Sequence, residues 1–253
     1  MKKDAAIKII TDCAKQYHAN LEGRNLLFVF GSSQKPSTLE TVFLPRNFLH
    51  LTGVEVDENS FTGSSDFYEK CLKGQLSPSD FSLANNGTTE MKLSILPQLM
   101  NIHRFAKMVG DYSFTKSMLY TEKLAGNITA CLGFVRDDTY YIPNTAIKED
   151  IREVTRRPQQ RVLLIYKKLI HEAQYSELCY VAKGIDVEQI TKSIFAQAVR
   201  PNDTLSEGAK TEAVNTTEQR PSVLRQLREL QEKKQSVPSQ RTEHKHSKDD
   251  LER

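Results

Sequence analysis

The segment Pro45-Arg46-Asn47-Phe48-Leu49-His50-Leu51-Thr52-Gly53 places a titratable ring among apolar residues, shortly after an arginine. An imidazole exchanges its proton near neutrality, at an unperturbed pKa of ~6.5, and a neighbouring cation balances charge that builds on phosphorus oxygens. That pairing suits phosphodiester cleavage without a metal. The alternation predicts a strand with Phe48, His50 and Thr52 on one face and Leu49 and Leu51 on the other. A histidine in an apolar strand also serves as a satisfied structural residue, and both readings stand at this point.

A second group lies in Tyr120-Thr121-Glu122-Lys123, where Lys123 can stabilise a phosphorane and Glu122 can act as a base, although both types are common on edge strands. The densest basic stretch runs from Lys148 to Lys168. It sets Lys148, Arg152, Arg156, Arg157, Arg161, Lys167 and Lys168 against Glu149, Asp150 and Glu153. Beside a sheet carrying Tyr140, Tyr141 and Tyr166, it suits single-stranded RNA, with cations on phosphates and rings under bases. A solvated charged face accounts for the same residues. His103 reads as structural, and His18 and His171 carry no signal. Cys13, Cys71, Cys131 and Cys179 are scattered without metal-ligand or disulfide spacing, so no metal site and no cofactor are expected. P-loop, G-x-G-x-x-G, G-x-S-x-G and H-E-x-x-H patterns are all absent from the sequence.

The elements that must position these residues follow from periodicity. Ile7, Ile10, Ala14, Tyr17 and Leu21 predict an amphipathic helix over 3–22, closed by Gly23. Leu26–Phe30 and Thr38–Phe43 predict a hairpin leading to His50. Capping residues predict helices from Ser65 to about Lys73 and from Ser77-Pro78-Ser79-Asp80. A long helix is predicted from Thr88 or Thr89 with Ile95, Leu99, Ile102, Ala106 and Val109 on one stripe, with Pro97 either kinking it or marking its true first turn. Strands are predicted at 118–123, 127–136, 140–142, 161–169 and 176–183, with a short charged helix or loop at 148–158 and a helix at 186–198. Helices followed by closely spaced strands predict an α+β class, with N-terminal helices packed on an antiparallel β-sheet.

Residues 1–199 therefore read as one α+β domain. Residues 200–253, rich in Thr, Ser, Glu, Gln and Lys, read as a disordered polar tail. Within the tail, Val223, Leu224, Leu227 and Leu230 give 221–234 an amphipathic pattern suited to folding on a protein partner or antitoxin, or to a nascent helix with no partner. His244 and His246 lie in charged tail sequence and read as solvated. With 253 residues, 38% hydrophobic and 26% charged, the composition is that of a soluble globular protein, and the formal net charge of +3 does not by itself point to nucleic acid. No apolar run is long enough to span a bilayer and Met1-Lys2-Lys3-Asp4 leads directly into a helical pattern, so the expectation is a cytoplasmic protein with no membrane partner.

Phe48-Leu49-His50-Leu51-Thr52-Gly53, Phe67-Tyr68-Glu69-Lys70-Cys71-Leu72, Thr88-Thr89-Glu90-Met91-Lys92 with Leu96-Pro97-Gln98-Leu99-Met100, Tyr141-Ile142-Pro143-Asn144-Thr145 and Pro158-Gln159-Gln160-Arg161 resemble the phage-associated branch of the barnase/EndoU/colicin/RelE-like nucleases, of the PBECR4 type. The resemblance covers roughly residues 24–185. It implies a barnase/RelE-like fold and metal-independent RNA cleavage, by 2′-hydroxyl attack, to a 2′,3′-cyclic phosphate and a 5′-hydroxyl. It implies roles for His50 as acid or base, for Thr52 as a hydrogen-bond donor to phosphate, and for Arg46, Lys123 and Arg161 as stabilisers of the phosphorane. No second histidine pairs with His50, so its partner is unassigned.

Two functions follow as expectations. One is an RNA endonuclease, a toxin or defence effector of a phage or other mobile element, binding RNA through Lys148, Arg152, Arg156, Arg157 and Tyr141. The other is a non-catalytic nucleic-acid-binding or adaptor protein.

Overall fold

The opening helix forms as α1 (Lys3–Asn20), burying Ile10, Ala14 and Tyr17 at helical spacing. The coordinates are a computed structural model of the chain, and they describe residues 1–57, 60–113 and 120–198. The predicted hairpin is β1 (Arg24–Gly31) and β2 (Pro36–Phe43), with Phe28 opposite Leu39. A 3-10 turn at Pro45–Asn47 then enters α2 (Phe48–Thr52). β3 (Val54–Val56), α3 (Ser64–Leu72) and β4 (Phe81–Leu83) come next, with β3 and β4 forming a two-stranded sheet that the sequence pattern does not announce. α4 (Thr88–Leu99) and α5 (Ile102–Phe105) lead to β5 (Met108–Asp111) and β6 (Lys123–Gly126). β7 (Cys131–Asp137), β8 (Tyr140–Ile147), α6 (Ile151–Val154), β9 (Gln160–Leu169), β10 (Glu177–Val181) and α7 (Val187–Ala198) complete the described chain.

The class is α+β, as expected, and the large sheet closes on itself. Pairing runs β1-β2-β8-β7-β6-β5-β9 and returns from β9 to β1, with β10 added on β9. Every interface of this ring is antiparallel except β2–β8, where Thr41 pairs with Tyr141 in parallel. The exception is forced, because seven strands in a closed ring cannot alternate direction all the way round.

Inward-facing Phe28, Phe30, Leu39, Val109, Ala125, Leu132, Phe134, Val162 and Ile165 share one core with α1, α3 and α4. Phe28 and Phe134 meet edge to face with ring centroids 6.2 Å apart. Outside the ring, Leu27, Val29, Leu163, Leu164 and Tyr166 pack under Ile190 of α7. Leu124, Cys131 and Ile147 pack with Ile151 and Val154 of α6. Strands covered on both faces explain the almost continuous burial of β1.

Several expectations are corrected. The His50 segment is a helical turn, not a strand: Pro45 sets the first turn, Gly53 ends α2 at φ 69°, and the buried residues are Phe48, Leu51 and Thr52, at helical rather than alternating spacing. Val109 belongs to β5, since the long helix stops at Leu99, two residues past Pro97, and α5 adds one further turn. Ser77–Asp80 is a turn and not a helix, held by the Ser77 amide donating to the Asp80 carboxylate at 2.7 Å. The strand expected from Asn127 begins only at Cys131, because the Asn127 side chain accepts from the Thr129 and Ala130 amides and folds the segment into a turn, leaving Ile128 exposed. Residues 118–119 of the first expected strand and the whole of 200–253, with its 221–234 segment, lie outside the described residues.

The β6–β7 connection tolerates no side chain at its glycine. A Cβ on Gly126 would lie 2.3 Å from the Ala130 carbonyl oxygen and 2.7 Å from Cys131 Cα, both backbone atoms. Gly126→Ala is expected to destabilise the fold by about 3 kcal/mol, the upper end of the usual overpacking cost. An unchanged urea midpoint for this variant would contradict the close packing of the turn.

Candidate nucleic-acid interface at the barrel mouth

At one end of the ring, the end of β1, the start of β2, the end of β5 and the starts of β6 and β9 gather around two adjoining cavities. The smaller, about 140 Å³, is lined by Phe30, Val109, Gly110, Asp111, Lys123, Arg156, Arg157, Pro158 and Gln160. The larger, about 460 Å³, is lined by Gly31, Ser32, Lys35, Ser37, Gln159, Gln160 and Arg161. Gln160 belongs to both. Strand register explains the grouping, since Asp111 pairs with Lys123 and Val109 with Gln160 across neighbouring strands. The lining residues of the two cavities include five cations, Lys35, Lys123, Arg156, Arg157 and Arg161, and one carboxylate, Asp111.

Fixed contacts set the geometry. Lys123 Nζ forms a short ion pair with the Asp111 carboxylate. The Arg161 guanidinium donates to the Lys183 carbonyl at 2.8 Å, and the Lys35 amide donates to Ser32 Oγ at 3.1 Å, ordering the β1–β2 turn. Cations gathered around a concavity can bind phosphate through charge and through their N–H donors.

The remaining candidates are distributed elsewhere. His50 is exposed on α2 and lines neither cavity. Partial burial, then the nearby Lys92 ammonium, hold its ring below the ordinary imidazole range, and Lys92 Nζ donates to the His50 carbonyl at 2.9 Å. Thr52 is buried, its hydroxyl donating to the Leu49 carbonyl at 2.7 Å and accepting from the Val54 amide at 3.3 Å. With both contacts inside the chain, that hydroxyl caps the end of α2 and does not face a ligand. Arg46 is ion-paired with Asp137 at 2.9 Å, which ties the entrance of α2 to the β7–β8 hairpin.

The basic stretch divides. Arg156, Arg157 and Arg161 reach the mouth, whereas Lys167 and Lys168 are mostly buried and lie near Glu177 and Glu40 at 3.0 and 3.9 Å. Arg152 grips both oxygens of Asp150, and this side-chain hydrogen bond holds the Asp150 carboxyl below the usual range. Lys148 is exposed away from both cavities. Tyr141 is half-buried against the main core, and Tyr166 is buried with its hydroxyl on Thr191. Glu122 accepts from the Arg136 amide at 3.3 Å. His103 is buried, as expected for a structural histidine.

Sequence reasoning missed Lys35, Asp111 and Gln160. Asp111 and Gln160 owe their place to cross-strand register, and Lys35 sits in a turn that read only as a hairpin connection. Among the described residues no three His, Cys, Asp or Glu side chains converge as a metal-ligand group, and no helix is long and apolar enough to cross a membrane. No curated protein and no solved structure matches the chain. The model of one family does match, the phage-Barnase-EndoU-ColicinE5/D-RelE like nuclease 4 family, PBECR4, over residues 9–184, a span holding every strand and every mouth residue described above; the chain belongs to that nuclease family.

Proposed function

We propose that the protein is an endoribonuclease that cleaves single-stranded RNA at the barrel mouth without a metal ion. The observation that carries this reading is the set of five cations around two adjoining cavities, Lys123 and Arg161 on strand starts and Lys35, Arg156 and Arg157 in the segments that lead into strands. In the reaction, the 2′-hydroxyl oxygen attacks the adjacent phosphorus, the P–O2′ bond forms and the P–O5′ bond breaks. The product ends are a 2′,3′-cyclic phosphate and a 5′-hydroxyl.

Negative charge on the non-bridging oxygens rises as the phosphorane forms, and Lys123, Arg156 and Arg157 in the smaller cavity meet that charge. The Asp111 carboxylate takes the 2′-hydroxyl proton and the paired Lys123 ammonium supplies one to the departing 5′-oxygen. Incubation of the protein with a single-stranded RNA in EDTA tests this. Fragments ending in 2′,3′-cyclic phosphate are expected. RNA left intact, or fragments with 5′-phosphate ends, would overturn the mechanism.

A second reading places the acid–base group at His50, because partial desolvation and Lys92 lower its pKa and so favour the neutral form, which accepts a proton. In this reading Arg46 supplies the cation, and its pairing with Asp137 sets its position. A role as a toxin or defence effector of a mobile element, with an inhibitory partner engaging 221–234, goes with either reading; deletion of 200–253 is then expected to abolish partner capture and leave cleavage intact.

A further inference from the structure

Resting on the ribonuclease reading, we propose that the larger cavity is the subsite for the nucleotide next to the scissile phosphate, and that it holds this nucleotide by its phosphate and polar edges rather than by stacking. The cavity adjoins the smaller one through Gln160 and, at about 460 Å³, has room for a nucleotide. Its lining explains the mode of binding. Lys35 and Arg161 supply positive charge, Ser32, Ser37 and Gln159 supply hydroxyls and an amide, and the lining contains no aromatic ring and no carboxylate. Sites that grip single strands by stacking carry rings on which bases lie, and this one has none.

Gln160 is the junction residue. Its Oε1 is buried and has no hydrogen-bond partner among the described residues, an arrangement that is unfavourable until a donor arrives or the amide turns. A ribose hydroxyl or a base amine entering from either cavity can supply that donor. Gly31 makes the arrangement possible: at φ 100° it adopts a conformation that suits glycine, and a Cβ there would stand 3.2 Å from Gln160 Oε1. The amide therefore packs directly on the end of β1, between the two cavities.

The test is fluorescence anisotropy with a labelled 2′-O-methyl cytidine dodecamer, which keeps a base amine and which 2′-attack cannot cleave, so binding is read apart from chemistry. Lys35→Ala and Arg161→Ala are each expected to raise Kd several-fold and to lower the slope of log Kd against log salt by about 0.7, the value for one lost phosphate contact on a single strand. Ser37→Trp keeps every charge and fills the cavity, and it is expected to weaken binding at least as much. Lys35 and Ser37 are exposed, and a matching thermal melt verifies that each variant is folded. Unchanged affinity in Ser37→Trp would mean that no nucleotide enters the cavity, and tighter binding would mean that it accepts stacking; either result overturns the proposal. The pattern expected here, found in a protein that never cleaves RNA, would retain the subsite and reject the ribonuclease reading. Cleavage by a protein whose affinity ignores all three substitutions would do the reverse.

Discussion

Lys123→Ala is expected to slow RNA cleavage roughly 10²–10³-fold while leaving the fold intact, the loss typical of removing one preorganised group that meets charge in a transition state. Lys123 starts β6, pairs with Asp111 of β5 in register, and reaches the smaller cavity beside Arg156 and Arg157. In the proposed reaction its removal takes away both a cation facing the phosphorane and the proton for the departing 5′-oxygen. Stability should change little, because the ion pair is partly exposed and pairs of that kind contribute about 0–1 kcal/mol. Lys123→Arg separates the two roles: it keeps the charge but donates its proton poorly, and it should restore substrate affinity more than rate. Single-turnover kinetics with a matched thermal melt is the measurement. A Lys123→Ala protein that is folded and cleaves at the wild-type rate removes the residue from the mechanism.

The second large effect concerns stability against pH. His103 is 1% exposed, with Nδ1 lacking a partner among the described residues. Desolvation first, then Lys167 and Arg104, lower its pKa to about 4, with Glu177 pulling weakly the other way. A folded-state value below the unfolded one means that the unfolded chain takes up the proton first as pH falls. The stabilisation is therefore complete above about 6.5 and is lost progressively as pH falls through the window down to about 4. Across that window the loss from this residue is roughly 3 kcal/mol. Urea unfolding at neutral pH and near pH 4 should show His103→Leu losing less stability than the wild type by about that amount. Equal losses in the two proteins would mean that His103 charges without cost in the folded state.

The legible parts of the fold were those fixed by local pattern. α1, the β1–β2 hairpin, α3, β9 and α7 follow from spacing and from Gly and Pro punctuation, because each buries one consistent set of positions. Phe48–Thr52 misled because five residues fit period 2 and period 3.6 almost equally well; the bracketing Pro45 and Gly53 decide for the helix. Val109 misled because an apolar residue in step with a helical stripe says nothing of the turn at Asn101 that ends it. The closure of the ring is invisible locally. It depends on β9 pairing with β1 along one edge and with β5 and β10 along the other, contacts between residues far apart in sequence.

The candidate site divides in the same way. Lys123, Arg156, Arg157 and Arg161 were visible as cations near strands, but nothing in their spacing showed that Asp111 and Gln160 join them or that Lys35 lines the adjoining cavity. Thr52 looked available because a sequence does not reveal that its hydroxyl is spent on Leu49. Tyr141 read as a stacking platform, and the sequence did not show that it packs partly against the core.

The site of cleavage is settled most directly by single-turnover rates of Arg157→Ala and His50→Ala on one single-stranded RNA in EDTA, both proteins shown to be folded. The mouth account predicts that Arg157→Ala loses roughly 10²-fold or more and that His50→Ala stays close to the wild-type rate. The reverse, a fast Arg157→Ala and an inactive His50→Ala, would contradict it and move the chemistry to α2.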